Sequence, residues 1–268
     1  GFPTTIAGEV RSFDPVTYID AKEARRMARF TQLGVAAALR AAESAGLNAS
    51  NIIPAESGVV LGNGNGGMPT TEEQAHVLFE RGGMKESPFF IPMILPNMAA
   101  AQISRSLGLK GYSNTVITAC AAGTQGIGEG AEVIRRGTAK VVFAGGTEAG
   151  ICQLSLGGFS VMRALSTNNE DPTKASRPFE ANRDGFVPGE GAGILVLEEM
   201  EHAISRGAPI LAEIVGYGVS SDAFHPVHPD ENGEGAARAM SWAIADAGLA
   251  SKDIDYINAH GTSTPVND

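Results

Sequence analysis

A chain of 268 residues is long enough to bury a large core in one or two domains. Its 20 basic and 30 acidic residues leave a net charge of −10, which argues against nucleic acid as a partner, because phosphate binding needs a basic footprint. Two cysteines cannot form a disulfide framework, no run of eighteen apolar residues offers a membrane span, and no basic-then-apolar leader opens the chain, so a soluble, cytosolic protein is expected.

In chain order, residues 20–45 carry apolar side chains at helical spacing, with Gly46 as a natural stop. GVVLG (58–62) is a short apolar run of the kind found in strands buried on both faces. Helical patterns at 71–81 and 99–107 precede a second strand, TVITA (115–119), and a small-residue helix at 123–136. KVVFAG (140–145) and GILVL (193–197) are predicted strands, separated by an irregular stretch at 168–190. A loop of that length is usually functional or packed over a site. A helix at 200–206, a strand at 210–217, a helix at 234–247 and a strand at 255–259 complete the pattern. Strands alternating with helices predict a layered α/β fold with at least partly parallel sheets. Glycine supplies 34 of 268 residues, nearly twice the usual share of roughly 7%. These glycines interrupt apolar segments without a period, which predicts tight turns and backbone packed on backbone.

The segment 114–137 carries the clearest chemical signal. A β-branched run ends at Cys120 and a helix of small residues begins immediately after it. At a helix N-terminus the dipole and the free N–H groups favour negative charge and can receive a developing oxyanion. Ala121, Ala122, Gly123, Gly126 and Gly128 leave room for a substrate and for close contact between helix and sheet. Taken alone, a buried core cysteine fits as well. His260 breaks the tie: NAHGTSTP (258–265) runs a strand straight into a histidine, a glycine and small hydroxyl residues. The C-terminal ends of strands are where α/β folds place catalysis, and histidine can hydrogen-bond an enolate or move protons near neutral pH.

TACAAG around Cys120 and NAHGTSTPVND around His260 resemble the β-ketoacyl-[acyl-carrier-protein] synthases. SPFFIP (87–92), RALST (163–167), SRPFEANRDGFVPGEGAG (176–193) and VSSDAFH (219–225) match in order and spacing. The resemblance covers nearly the whole chain and is nearest to the elongating type II synthases of bacterial fatty-acid synthesis. It implies a thiolase-like fold, layered αβαβα from two similar βαβαβαββ halves. Residues 1–209 would be most of the N-terminal half and residues 210–268 the start of a truncated C-terminal half. A piece of a longer enzyme is expected, since the family's lysine, second histidine and Gly-Phe-Gly loop are not found within the chain. The implied reaction is decarboxylative Claisen condensation of a malonyl carrier with an acyl-cysteine. Cys120 would be the nucleophile, and His260 would stabilise the enolate; no metal or other cofactor is expected.

The same resemblance implies that Thr262 and Thr264 bond the pantetheine arm and that Phe90 and Phe159 border the acyl pocket. Asn65 stands where relatives often carry a bulky aliphatic gate, which leaves chain-length preference open. Lys22, Arg25, Arg26 and Arg29 cluster in an otherwise acidic chain and would steer an acidic acyl carrier protein, acyl- or malonyl-loaded, with Lys85 and Arg163 joining the patch. A solvated helix face, partly neutralised by Glu23, is the bland alternative. A homodimer is implied.

Other readings fit less well. Polyketide ketosynthases share these motifs, whereas a thiolase would use free coenzyme A. A non-catalytic carrier-binding subunit usually replaces the nucleophile. Gly62, Gly64 and Gly67 satisfy G-x-G-x-x-G after a strand, but Pro69 sits where a phosphate-binding helix should start and no acidic residue ends a second strand about twenty residues on. His225 and His228 beside Asp222 and Asp230 suggest a gating loop rather than a metal site, because Pro226 and Pro229 make the segment irregular. His76 and His202 are expected on the surface, and Cys152 in packing.

Overall fold

In the computed structural model, which describes all 268 residues, one four-stranded sheet organises the chain. Its strands are β1 (Ser57–Gly62), β2 (Ser113–Val116), β3 (Val141–Ala149) and β4 (Glu190–Glu198), in the order β2-β1-β3-β4. β1 runs parallel to β2 and β3, while β4 pairs antiparallel with β3. The alternation of side chains along a strand sends Val59, Leu61, Val141 and Phe143 to one face and Val60, Val142 and Ala144 to the other. Helix α2 (Arg29–Ser44), with Phe30, Leu33 and Val35 buried, covers the first face beside α5 (Met98–Leu107). Helix α6 (Ala122–Arg135) covers the second through Ala131 and Val133. Two covered faces explain why β1 from Gly58 onward and the first half of β3 are continuously apolar.

The predicted helix at 20–45 is two helices. The first, α1 (Ala21–Ala24), is capped by the Asp20 carboxylate, and the chain becomes extended at Ala28 (φ −68°, ψ 159°) before α2 begins. The side-chain amide of Gln32 holds the break by donating to the carbonyls of Ala24 (2.9 Å) and Met27 (3.2 Å). Two ion pairs then fasten α2 to β4 at both ends. Arg29, the first residue of α2, bonds Glu190, the first of β4, at 2.9 Å. At the other end Glu198 accepts from Arg206 (2.6 Å), which also donates to the carbonyl of Ala45 (2.8 Å) at the end of α2.

Helices α3 (Met68–Arg81) and α8 (Met200–Ser205) form close to expectation, as does α9 (Glu234–Asp246). Two short helices escaped the sequence reading: α4 (Phe90–Ile94), in a Pro-flanked run, and α7 (Gln153–Val161), which buries no residue. The strands expected at 210–217 and 255–259 do not form, because neither segment finds a neighbouring strand to pair with. Instead Gly216 and Gly218 lie against α9, and the Tyr217 ring lies over Gly128 of α6, its hydroxyl 3.2 Å from Glu129.

Candidate active site

Because β1, β2 and β3 are parallel, the loops after all three emerge at one edge of the sheet. The strand leading to Cys120 ends early, at Val116 rather than Ala119. Ala119 then adopts φ +50°, a conformation uncommon for a residue with a Cβ, and a 3-10 turn over Ala119–Ala121 leads into α6. Cys120 sits in that turn rather than at the cap of α6 itself. Its side chain is exposed, and its backbone N–H is engaged by no acceptor in the chain. Sequence reading missed the strain at Ala119, which no residue type announces. The glycines around it are required by close approach: a Cβ on Gly62 would stand 2.0 Å from the Ala122 carbonyl oxygen, and one on Gly126 would stand 2.8 Å from the Gly145 carbonyl oxygen. Helix α6 therefore rides directly on the backbones of β1 and β3.

His260 is exposed and its ring bonds to no group of the chain, so no hydrogen bond links it to Cys120. The turn that carries it is nonetheless tightly held. Gly261 (φ +56°) and Ser263 (φ +65°) bend the backbone, and Ser263 is fully buried. The Ser263 hydroxyl accepts from the Arg177 N–H (3.0 Å), and its carbonyl accepts from the Gly185 N–H (2.9 Å). The Asp268 carboxylate accepts from the N–H groups of Thr262 (2.9 Å), Ser263 (2.7 Å) and Phe179 (3.3 Å), while Arg183 donates to the Thr264 carbonyl (3.2 Å). The hydroxyls of Thr262 and Thr264 bond each other at 2.8 Å. The long irregular stretch at 168–190 thus wraps the histidine turn, as its length suggested. Asp184 braces it from within. Burial alone would raise this carboxyl, but the Ser166 hydroxyl, the Thr167 N–H and the Arg177 charge hold it below its ordinary value. Arg183, Asp184 and Asp268 fall within the matched segments 176–193 and 258–268 but were given no role of their own from the sequence.

Phe159 packs edge-on against Phe186 of this wrapping stretch, centroids 5.2 Å apart. Phe90 opens α4 and is half-buried. Asn65 is exposed in the loop after β1, where its N–H donates to Glu148 (3.3 Å). Of the basic cluster, Lys22 and Arg25 are exposed without ion pairs, and Arg26 stacks 4.5 Å over the Phe89 ring while pairing with Glu23. Glu23 also pairs with Arg105. Arg29 leaves the cluster for Glu190, so the four do not share one helix face. Lys85 and Arg163 are exposed and unpaired.

The glycine motif at 62–67 is resolved by the same loop, though not through Pro69. Helix α3 does start there, with Pro69 tolerated in its first turn. What fills the loop is the Glu148 carboxylate, accepting from the Gly64 N–H at 2.6 Å. The N–H groups of Gly64 and Asn65 are thus taken up by a carboxyl of the same chain. His225 turns its Nδ1 to the N–H groups of Val227 (3.1 Å) and His228 (3.0 Å), and no group of three or more His, Cys, Asp or Glu side chains converges as a metal site would. His202 is not a free surface residue: it bonds Glu198 at 2.5 Å. Cys152, half-buried, lies 3.4 Å from the Ser155 hydroxyl at the start of α7.

Residues 3–203 match the family described as beta-ketoacyl synthase, N-terminal domain, and residues 211–268 match beta-ketoacyl synthase, C-terminal domain. The 3-oxoacyl-[acyl-carrier-protein] synthase 2 of Staphylococcus aureus (strain N315) is 51% identical over 263 residues, covering 98% of this chain and 63% of its own length. The synthase of the same name from Synechocystis sp. is 48% identical over 97% of this chain and 63% of its own. The chain therefore spans about 63% of the length of these relatives. A beta-ketoacyl synthase from Burkholderia phymatum STM815 superposes on the whole chain and 65% of its own, with TM-score 0.92 and 36% identity. The structure of AntDE:AntF, a type II PKS acyl-carrier protein in complex with its ketosynthase, matches with TM-score 0.87 and 32% identity over the whole chain and 65% of its own.

Proposed function

The chain belongs to the beta-ketoacyl synthase family, with its thiolase-like α/β fold, and on that footing we propose that the full-length protein is a 3-oxoacyl-[acyl-carrier-protein] synthase of fatty-acid elongation. The observation that carries the reading is Cys120, exposed in a strained turn with its own N–H unengaged. Its Sγ attacks the carbonyl of an acyl thioester on the carrier protein, and the carrier thiol departs with the proton. The unengaged N–H is one donor to the oxyanion of that step. A malonyl carrier then enters. Its bond to the carboxylate breaks, CO2 leaves, and the electron pair forms an enolate whose oxygen His260 stabilises. The enolate carbon attacks the acyl-cysteine carbonyl, a carbon–carbon bond forms, and Cys120 is expelled as thiolate.

Thr262 and Thr264 hold the pantetheine arm, and Phe90, Phe159 and Asn65 border the acyl chain. Lys22, Arg25, Arg26, Lys85 and Arg163 receive the acidic carrier; the relative solved with its acyl-carrier protein supports a partner of this kind. In this reading residues 1–209 and 210–268 belong to the two halves of the fold, and the full-length protein is a cytoplasmic homodimer. Likeness to AntDE:AntF also favours a second reading, a ketosynthase of polyketide assembly. Mass spectrometry tests the first: full-length protein given acyl-carrier protein should gain one acyl group on Cys120, and added malonyl carrier should release a product longer by one two-carbon unit. Retention of the acyl group through several extensions without reduction would favour the second. Acyl transfer undiminished in Cys120→Ala would remove both.

A further inference from the structure

We propose that Glu148 is a positioning residue for the Cys120 site, acting through the loop at 63–67. The proposal rests on the acyl-cysteine reading above. β3 carries no other ionisable side chain than Glu148, its penultimate residue, which lies just beyond the level of Gly62 at the shared edge of the parallel strands. Glu148 Oε2 accepts from the N–H groups of Gly64 (2.6 Å) and Asn65 (3.3 Å), successive donors converging on one anion. A Cβ on Gly64 would come within 2.7 Å of that oxygen, so glycine is what lets the loop close on it. Asn63 ties the loop down beside this contact. Its side-chain amide donates to the Thr147 carbonyl, and its oxygen accepts from the Gly66 N–H, both at 2.6 Å.

The loop's other side faces the nucleophile's turn. The Asn63 N–H donates to the carbonyl of Val116, the last residue of β2 (3.0 Å), and Gly62 lies directly beneath Ala122 and Gly123, two and three residues after Cys120. A displacement at Glu148 therefore reaches both Asn65 and the turn of Cys120 through contacts of single backbone atoms. Holding the loop does not by itself require a charge. Oε1 of Glu148 is sealed from solvent and has no hydrogen-bond partner, and burial raises the carboxyl above its ordinary value despite the N–H groups it accepts from. A carboxylate kept at a functional edge in an environment that disfavours it marks a group retained for placement rather than for stability.

The test uses the full-length protein and two variants, Glu148→Ala and Glu148→Gln. Acyl transfer to Cys120 is followed by mass from acyl carriers of increasing chain length, alongside labelling of Cys120 by iodoacetamide and the melting temperature. In Glu148→Ala, kcat/KM for acyl transfer should fall about tenfold or more, chiefly through KM and unequally across chain lengths, because misplacement on the order of 1 Å is enough for such losses. Iodoacetamide labelling should change by no more than about threefold. Glu148→Gln, which keeps an oxygen for Gly64, should recover most but not all of the loss and keep a smaller shift of the chain-length profile; if the alanine variant does not fold, that residual shift in the glutamine variant carries the same expectation. An unchanged profile in the folded variants overturns the proposal. So does a loss that is equal for every chain length and for iodoacetamide. Wild-type protein that forms no acyl-Cys120 overturns the acyl-cysteine reading and, with it, this one.

Discussion

Residues 57–62 and residues 210–217 are both apolar runs of strand-like sequence, and they end in opposite circumstances. In β1 every residue is buried, with Val59 and Val60 at 0% exposure, because a strand flanks it on each side and a helix covers each face. In 210–217 no strand lies alongside and Leu211 is 92% exposed. Beyond residue 209 only Gly235 and Ser263 are buried, while Phe224, Trp242, Tyr256 and Ile257 stand half-exposed or more. The solvent-accessible surface is correspondingly large, 15336 Å² for 27.7 kDa, against about 11,000 Å² from the scaling for folded monomers. Apolar, β-branched sequence supplies the capacity to be a strand; hydrogen-bonding neighbours decide whether it becomes one. The proposed chemistry straddles the two regions, with Cys120 on the packed sheet and His260 in the thinly covered part.

The largest effects should come from separating those two residues in the full-length protein. Cys120→Ala should abolish acyl-enzyme formation altogether. His260→Ala should leave acylation within severalfold of wild type while lowering malonyl decarboxylation by roughly a hundredfold or more, the usual scale for losing a group that stabilises transition-state charge. A His260→Ala protein that no longer acylates would show that the two regions act as one unit in the first step.

A paired glycine experiment probes packing on each side. Alanine at Gly62 would place its Cβ 2.0 Å from the Ala122 carbonyl oxygen, and alanine at Gly216 would place it 2.2 Å from that of Ala243. The clashes are alike but the surroundings are not. Gly62 is locked between buried neighbours, so Gly62→Ala should cost at least the roughly 1–3 kcal/mol of ordinary overpacking. Gly216→Ala should cost less, because the unpaired segment can move away. Thermal or denaturant unfolding reads both, and equal losses would contradict the contrast.

How much of this was legible in the sequence follows the same division. β1, β3 and β4 and the helices α2, α5 and α6 were readable because the apolar pattern of each segment records which of its own faces is buried, even though the partner that buries it lies far along the chain, as β3 does from β1. The Cys120 turn and the histidine turn were readable as turns from the small residues beside a thiol and an imidazole. The roles of Glu148 and Arg183 were not readable, since they arise from partners more than 80 residues away, Gly64 and Asn65 for Glu148 and Thr264 for Arg183. Asp268 joins the nearby N–H groups of Thr262 and Ser263 to the distant one of Phe179, and only the last contact is out of reach of local reading. The strands at 210–217 and 255–259 were misread because periodicity reports what a segment could pair with, not whether a partner stands beside it. The length of the helix at 20–45 was overestimated because Gln32 caps Ala24 and Met27 by a contact that spacing does not show.

Limited proteolysis of the 268-residue chain sharpens the contrast without any substitution. Cleavage requires a segment to open, and openings are easiest where few apolar contacts resist them. Early cuts are expected within 221–233 and 254–260, with the sheet residues 57–62 and 141–149 surviving longest. The same exposed side chains should bind a hydrophobic dye. Peptide mapping that finds the first cuts inside the sheet would reverse the assignment of stable and labile regions.

The smallest effect concerns the ion pairs that fasten β4 to α2. Burial alone would raise the Glu198 carboxyl, yet the hydrogen bonds of Arg206 and His202, with their charges, hold it below its ordinary value. Glu190 is held low in the same way against burial by Arg29 and the Val10 N–H. A carboxyl whose folded value is depressed adds stability that is present above its unfolded value and is lost as pH falls through the folded one. Both pairs should therefore steepen acid unfolding below the ordinary carboxylate range, in the sheet region only. Glu148, raised by burial, acts with the opposite sign: it binds its proton more readily folded than unfolded, so its contribution improves as pH falls from above its folded value. Glu198→Gln should lower stability near neutral pH by about 1 kcal/mol, a figure reduced for a pair that solvent still partly screens. The difference from wild type should shrink toward zero at the acid end, where wild-type Glu198 is itself protonated. A pH series of denaturant melts would show it. A Glu198→Gln deficit that stays constant down the acid limb would mean that shape at the end of α2, rather than charge, joins the helix to the strand.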